Sequence, residues 1–112
     1  MSNLIDFSDF LKVDIRIGTV LSAAPNAKAR KPAFVLEVDF GELGIKTTSA
    51  QITENYQPQN LVGEQVVAVV NFPVKVVAGI KSEVLILAVV CDGCGTVLLQ
   101  PKGNVQNGAK VL

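Results

Sequence analysis

The sequence predicts an all-β protein whose strands close, or nearly close, into a small barrel. Five segments carry strand patterns, little helix is indicated, and glycines mark the bends and turns between strands. Closing the sheet removes exposed edges that would otherwise pair with other chains. The 112 residues suffice for one domain, so we expect residues 1–112 to form a single one. A domain of this size buries roughly two-thirds of the surface that its unfolded chain exposes, and should fold without metal or disulfides.

A short helical turn and a bent strand open the chain. Residues 6–14, DFSDFLKVD, predict the helical turn, with Asp6 or Ser8 as its cap. In the strand at residues 13–23, alternate side chains share one half-buried face: Val13, Ile15, Ile17, Thr19 and Leu21. Gly18 lies in its middle, where a glycine often marks a bend or bulge. A bent first strand can serve two sheet edges, which suits the OB-fold, although other small barrels remain an alternative at this point.

The second and third strands are joined by a glycine turn. Residues 34–40 alternate, with apolar side chains inward and carboxylates outward: Leu36, Val38 and Phe40 inward, Glu37 and Asp39 outward. The turn GELG follows, and residues 45–52, IKTTSAQI, form the third strand. We expect turns and one helical turn in residues 53–64, because Pro58 and Gly63 disfavour a strand there.

The fourth and fifth strands are nearly continuous apolar runs, QVVAVVNF at residues 65–72 and EVLILAVV at residues 83–90. Such runs fit strands that are buried on both sides or lie partly at an interface. The connection between them, which starts at Asn71, is longer than a tight turn and carries charge, and loops of this kind on β scaffolds often bind ligands. Beyond the fifth strand we expect a turn at DGCG, a short strand at TVLLQ, and a terminal strand or tail at AKVL.

Charge and apolar content restrict the classes of partner. The formal net charge is zero, so binding to nucleic acid would need local basic patches. Such patches are the group Lys28, Arg30 and Lys31, the pair Lys75 and Lys81, and Lys46 after a turn. Apolar residues make up 49% of the chain, which is high for so small a domain. We therefore expect apolar surface to be buried in a homodimer, with a valine-rich core as the alternative.

Targeting signals are not visible in the sequence. No apolar run approaches the ~20 residues of a membrane span. The first residues, MSNLIDFSDF, carry acids and lack the basic segment of a signal peptide. The sequence therefore predicts a cytoplasmic protein.

The sequence contains few of the residues that catalysis or metal binding would need. The chain contains no histidine, which removes histidine general bases, histidine-activated nucleophiles and zinc sites containing histidine. No paired catalytic carboxylates or phosphate-binding loop are visible. We therefore expect no enzymatic activity, no cofactor and no metal. Cys91 and Cys94 form a C-x-x-C, half of a zinc site whose other half a dimer would have to supply, and a structural turn with free thiols is the favoured interpretation.

Four motifs carry a resemblance to a known family: DIRIGTVLSAAPNA, VDFGELGIKTTSAQIT, LVGEQVVAVVNFP and AGIKSEVLIL. Together they resemble the stand-alone tRNA-binding-domain family, and within it the CsaA-type secretion chaperones, from about Phe10 to the C-terminus. The resemblance implies a five-stranded OB-fold Greek-key barrel, a homodimer and no enzymatic activity. It implies as partners unfolded precursor proteins or peptides together with the export machinery, or else tRNA recognised by its shape.

The resemblance also implies where ligands bind. The family's polar signature falls on three stretches: Ser49, Ala50 and Gln51; Asn71, Phe72 and Pro73; and Ala78, Gly79, Lys81, Ser82 and Glu83. With the basic patches added, the predicted peptide- or tRNA-binding residues are Lys28, Arg30, Lys31, Lys46, Ser49, Gln51, Asn71, Phe72, Lys75, Lys81, Ser82 and Glu83. Related chaperones tend to carry a second proline and two adjacent basic residues after NFP, where this chain has Val74, Lys75 and Val76. The missing positive charge weakens the case for strong RNA binding there.

The motif AGIKSE allows two interpretations. Lys75 and Lys81 can contact phosphate or carboxylate, while Ser82 and Glu83 bond exposed base edges or peptide backbone. Alternatively, Ser82 and Glu83 tie the connection down by bonding its backbone amides, and Gly79 supplies a turn with positive φ. Both interpretations can hold together, with these residues fixing the rim of a binding face.

The other predicted contacts also have structural alternatives. The loop NAKARKP either contacts phosphate, with Arg30 suited to a bidentate bond, or is a solvated charged loop. Gln51 either bonds a ligand backbone or faces solvent on an ordinary strand. Among the few aromatic residues, only Tyr56 and Phe72 are expected near the binding face. Unspecific binding of single strands is therefore disfavoured, because it usually relies on exposed aromatic side chains.

Overall fold

The computed structural model describes residues 3–112. In chain order its strands are β1 (Ile15–Pro25), β2 (Phe34–Asp39), β3 (Ile45–Ala50), β4 (Gln65–Val69), β5 (Lys75–Val77), β6 (Ile80–Ser82), β7 (Leu85–Ile86), β8 (Ala88–Cys91) and β9 (Gly95–Leu98). The helical elements are α1 (Phe7–Leu11), the 3-10 turn Gly41–Leu43 and α2 (Pro58–Leu61). No helix within the described residues is long and apolar enough to cross a membrane.

Five strands form the barrel sheet, in the order β3-β2-β1-β4-β7, and each neighbouring pair is antiparallel. The long strand β1 serves two neighbours. Its first residues pair with β4, beginning at Ile15↔Val69, and its last residues pair with β2, ending at Pro25↔Phe34. This nearly closed antiparallel arrangement confirms the predicted fold class, an all-β five-stranded OB-fold barrel.

Gly18 allows β1 to pass close to β2. A Cβ atom at this position would lie 2.6 Å from Val38 Cγ1 and 2.8 Å from the Phe40 ring. Val38 and Phe40 are fully buried, so neither side chain has free space into which it could move. Two residues further on, a bulge lies between Val20 and Ser22, in the region where the sequence predicts a bend or bulge.

Gly18 and Val20 lie on the side of β1 that faces the core. Val20 is 1% exposed, whereas Leu21 is 44% exposed. The expectation that Leu21 faces inward was wrong, because Leu21 follows the core-facing Val20 and therefore lies on the opposite side of the strand. The bulge after Val20 shifts the alternation only beyond that point, so that Ala23 packs against the core. In β2 the alternation is uninterrupted, and the inward-facing Leu36 and Val38 belong to the core as predicted.

The predicted fifth strand is broken in two. β7 pairs with β4 in the barrel, whereas β8 leaves it and pairs with β9 in a separate hairpin. Leu87 lies at the break: its N–H donates to the Val67 carbonyl (2.8 Å), and its own carbonyl accepts the Leu99 N–H (3.2 Å). One continuous strand over residues 83–90 is therefore wrong, because the apolar run belongs to two different pairings.

One backbone bond and several side-chain bonds join the barrel seam between β3 and the residues before β7. The Glu83 N–H donates to the Thr47 carbonyl (2.8 Å), and the Thr47 N–H donates to Glu83 Oε1 (2.9 Å). Further along the seam, the Ser49 N–H donates to Ser82 Oγ (3.2 Å). Side-chain oxygens of Ser82 and Glu83 thus take the place of backbone carbonyls that a neighbouring strand would supply.

The C-terminal segment covers part of β1. Lys110 forms an isolated antiparallel bridge with Arg16, and the Ile17 N–H donates to the Ala109 carbonyl (3.0 Å). The Asn107 side chain adds a bond, since it accepts from Thr19 Oγ1 (2.6 Å). The predicted terminal strand or tail at AKVL is thus a tail that runs beside β1, with one antiparallel bridge and backbone bonds between Val111 and Ile15 and between Ala109 and Ile17.

Candidate ligand-binding groove

A groove with a volume of about 1010 Å³ lies between the barrel and its two hairpins. Its walls come from the loop 26–33, the end of β3 with residues 51–52, the β5–β6 hairpin, and the β8–β9 hairpin. Nine of the twelve predicted site residues line it: Lys28, Arg30, Lys31, Ser49, Gln51, Phe72, Lys75, Ser82 and Glu83. Residues far apart in sequence thus contribute to one concave surface, which is the usual setting of a ligand site.

The floor of the groove is apolar. It consists of side chains that are buried in the barrel wall: Ala33, Ala50, Ile52, Val84 and Ile86. Above the floor, Phe72 is 52% exposed and Val90 is 84% exposed. These two side chains flank the groove, and a bound ligand would bury their exposed apolar surface. Such burial stabilises a complex by about 25 cal/mol per Å².

Cations line the rim, at Lys28, Arg30, Lys31 and Lys75. All four side chains are exposed. Across residues 3–112, the ion pairs of the structure are Lys12–Asp9 and Arg16–Asp14, so none of the four rim cations is held by a carboxylate. They remain available to a phosphate or carboxylate of a ligand.

The loop that carries three of these cations is organised by Asn26. The backbone N–H of Asn26 donates to the Ala33 carbonyl (2.9 Å), and its Oδ1 accepts the Lys28 N–H (3.3 Å). Its Nδ2 donates to Ser49 Oγ (3.4 Å), which ties the loop to β3. Asn26 is not among the residues predicted from the sequence, although an asparagine at the start of a loop is a known signal for a side-chain turn.

The β5–β6 hairpin forms another wall of the groove. Its turn has positive φ at both central residues, Ala78 (48°) and Gly79 (82°), the pattern of a type I′ turn. A Cβ at Gly79 would lie 3.8 Å from Lys28 Cδ, so the hairpin tip reaches the basic loop. The connection predicted as a long charged loop is therefore a tight hairpin, and its expected positive φ at Gly79 is confirmed.

Ser82 and Glu83 have structural partners. Glu83 Oε1 accepts the Thr47 N–H, and Ser82 Oγ lies 2.9 Å from Thr48 Oγ1. Thr48 Oγ1 donates to the Val84 carbonyl (2.7 Å), which completes the seam. The two side chains thus bond amides of β3 instead of the hairpin's own amides, and they fix the rim from below.

Three predicted residues do not line the groove: Lys46, Asn71 and Lys81. Asn71 accepts the Asp14 N–H at its Oδ1 (2.9 Å) and donates from Nδ2 to the Lys12 carbonyl (2.7 Å). It therefore anchors the segment between α1 and β1, and this role explains a polar residue at that position.

The prediction that Tyr56 lies near the binding face was wrong. Its ring packs against the core, and its hydroxyl accepts the Leu98 N–H (3.0 Å). Phe72, the other aromatic residue expected near the face, does line the groove.

The β8–β9 hairpin supplies groove residues that the sequence did not indicate, among them Val90 and Thr96. At its turn the structure joins Cys91 and Cys94 in a disulfide, so the expectation of free thiols was wrong. Within residues 3–112, no group of three or more metal-ligating side chains is present.

Comparison with known proteins identifies the family. Residues 15–110 match the family model described as "Putative tRNA binding domain". The chain belongs to this tRNA-binding-domain family. The resemblance that the sequence motifs carry is thereby confirmed.

Solved structures of the family match this chain almost end to end. Chaperone CsaA from Bacillus anthracis str. Ames has a TM-score of 0.92 and 55% identity, with 97% of this chain and 99% of that chain covered. The CsaA chaperone protein from Picrophilus torridus also has a TM-score of 0.92, at 42% identity, with 97% of this chain and all of that chain covered.

Relatives known from sequence are much longer proteins. The methionine–tRNA ligase of Porphyromonas gingivalis is 41% identical over 108 residues, which are 96% of this chain and 15% of the ligase. That of Methanococcoides burtonii is 37% identical over 106 residues, which are 95% of this chain and 15% of the ligase. The chain thus spans about 15% of the length of these curated relatives.

Proposed function

We propose that this chain is a non-enzymatic chaperone whose groove binds unfolded or precursor polypeptides for protein export. The observation that carries the proposal is the distribution of chemistry in the groove, where the floor is apolar and the cations are confined to the rim. An extended polypeptide fits this distribution, because its apolar side chains can pack against the floor while its backbone contacts the polar rim. The 55% identity to a CsaA chaperone over nearly the whole chain supports the same function.

The groove proposal is tested by suppression of aggregation. The purified protein should reduce the aggregation of a chemically unfolded model enzyme and bind members of a precursor-peptide library. The Phe72→Ala variant should weaken peptide binding about tenfold, since full burial of a phenylalanine is worth roughly 1.5–3 kcal/mol and about half of Phe72 is already buried in the free protein. Leu43→Ala, which removes a partly exposed side chain outside the groove, is the matched control. No suppression together with no peptide binding would refute the proposal.

We also propose a homodimer, in the cytoplasm, with residues 1–112 forming one domain in each copy. Exposed apolar side chains on and near α1 support an interface between copies, in particular Ile5, Phe7 and Leu11. Sedimentation equilibrium should give twice the monomer mass, and Phe7→Asp should shift the equilibrium towards monomer. A monomer at all concentrations, for the unaltered chain, would refute this part.

Binding of tRNA is the second candidate function. It is supported by the family match and by the four rim cations that lack carboxylate partners among the described residues. If about four phosphates are contacted, affinity should fall roughly 100-fold between 50 and 200 mM salt. Arg30→Ala should weaken binding to all tRNAs alike, whereas Lys102→Ala, outside the groove, should leave it unchanged. An affinity that is flat across this salt range would exclude the tRNA function.

A further inference from the structure

The Cys91–Cys94 disulfide closes the turn of the β8–β9 hairpin. Cys91 pairs with Gly95 at the end of the two strands, and the Cys94 N–H donates to the Cys91 carbonyl (3.2 Å). Gly93 (φ 78°) and Gly95 (φ 72°) flank Cys94 in a backbone conformation that glycine adopts without strain.

The same hairpin is a wall of the groove. Ala88 and Val90 on β8 and Thr96 on β9 line it, and Val90 also borders a second depression of about 520 Å³ that contains both cysteines. The disulfide therefore lies one residue beyond a groove-lining side chain.

The two strands of the hairpin are held unequally. On the β9 side, Asn55 Nδ2 donates to the carbonyls of Cys94 (2.8 Å) and Thr96 (2.9 Å), which anchors that side to residues before α2. On β8, Val89 and Val90 are exposed. The end of β8 is thus held by its pairing with β9 and by the disulfide.

We propose that Cys91–Cys94 is a thiol-exchange site whose redox state sets the affinity of the groove for its ligand. The proposal rests on the polypeptide-binding function proposed above. With the disulfide closed, the end of β8 holds Val90 against the groove. With the disulfide open, this end detaches more readily from β9 and the groove loses an ordered wall.

The exchange needs a dithiol as reductant. Its thiolate attacks Cys94, the more exposed of the two sulfur-bearing residues, and the Cys91 sulfur leaves with the electron pair and takes up a proton. The second thiol of the reductant then attacks the mixed disulfide and releases Cys94 as a thiol. Two electrons and two protons pass to the protein, and the reductant becomes a disulfide. Glu54 and Asp92 line the same depression, so their negative charge favours a dithiol that carries no charge besides the attacking thiolate over one that also carries carboxylates.

Loop-closure entropy gives the size of the effect. The disulfide closes a loop of four residues, and for a loop of this length the entropy corresponds to a change of about 20-fold in the population of the closed turn. This factor is an upper limit for the loss of peptide affinity on reduction. We expect the peptide dissociation constant to rise between about threefold and 20-fold on reduction.

The test compares the oxidised chain, the chain reduced with dithiothreitol, and the double variant Cys91→Ser/Cys94→Ser. Thiol titration should find none, two and none, respectively. Peptide binding should be weaker for the reduced chain and for the double variant, and dithiothreitol should not change the double variant. Two thiols that persist after oxidation with diamide, or equal affinities in both redox states, would overturn the proposal.

A second readout separates this inference from the proposed function. Methyl NMR signals of Ala88 and Val90 should move or broaden on reduction, while those of the core residue Val38 should not. If no peptide binds in either state, the chaperone function fails and these signals alone decide the inference. Unchanged Ala88 and Val90 signals in a reduced chain would overturn it.

Discussion

Replacing Glu83 by alanine separates a structural role at the groove rim from contact with a ligand. The change removes the oxygen that accepts the Thr47 N–H at 2.9 Å and leaves this amide without a partner at the barrel seam. The hydrogen bond involves a charged acceptor, for which a loss of about 1.5–3 kcal/mol is expected. Because Glu83 is only partly buried, we expect the lower half of this range, about 1.5–2 kcal/mol in the free energy of unfolding.

Urea unfolding followed by circular dichroism measures this loss of stability. The Glu83→Gln variant tests whether the accepting oxygen is what stabilises the seam. Glutamine keeps an oxygen at the Oε1 position, so its cost should stay below about 1 kcal/mol. Glu64→Ala, an exposed carboxylate outside the groove, is the control and should change stability by less than about 0.5 kcal/mol. If Glu83→Ala matched the Glu64 control in stability while peptide affinity fell, Glu83 would be a ligand contact and the seam argument would be refuted.

Three further changes test other parts of the structure by the same unfolding assay. Gly18→Ala should lower the free energy of unfolding by about 3 kcal/mol, because the added Cβ would press on the buried Val38. At Gly103 the added Cβ would meet open space, so Gly103→Ala should cost less than about 0.5 kcal/mol. Equal effects of the two changes would contradict the close approach at β1. Ala78→Asn should stabilise by about 0.5–1 kcal/mol, since asparagine tolerates the positive φ of this turn better than alanine, and a loss would argue against the turn type. Asn71→Ala should cost about 1–2 kcal/mol through its two lost bonds, yet leave peptide affinity unchanged, and a drop in affinity with full stability would assign it to the site.

The sequence predicts the strands well where each strand has one buried face. Alternation identifies the core face of β2, and Gly18 marks the region where β1 bends. Alternation fails at Leu21 because Gly18 and Val20, and not the apolar odd-numbered residues of β1, face the core. The C-terminal segment bonds to β1 at Ile17, and the sequence pattern does not record that contact. It also fails at residues 83–90, since an apolar run does not record that Leu87 bonds to β4 through its N–H and to Leu99, just beyond β9, through its carbonyl.

The groove is predicted only in part. The basic loop and Phe72 follow from charge and from the family motifs, and both line the groove. The wall at Val90 is not predictable from the sequence, because its position depends on where β8 leaves the barrel. Pairing of Cys91 with Cys94 likewise depends on the turn geometry and on redox conditions, neither of which a C-x-x-C spacing specifies.

The role of the apolar floor is tested most directly by the salt dependence of binding. The dissociation constants for a precursor peptide and for total tRNA are measured side by side at 50 and 200 mM salt on the same preparation. We expect the dissociation constant of the peptide to change less than about threefold over this range, because burial of apolar surface is little screened by salt, and we expect tRNA binding to be weak at 200 mM. Salt-sensitive tRNA binding with no peptide signal would contradict binding at the apolar floor and assign the function to the basic rim.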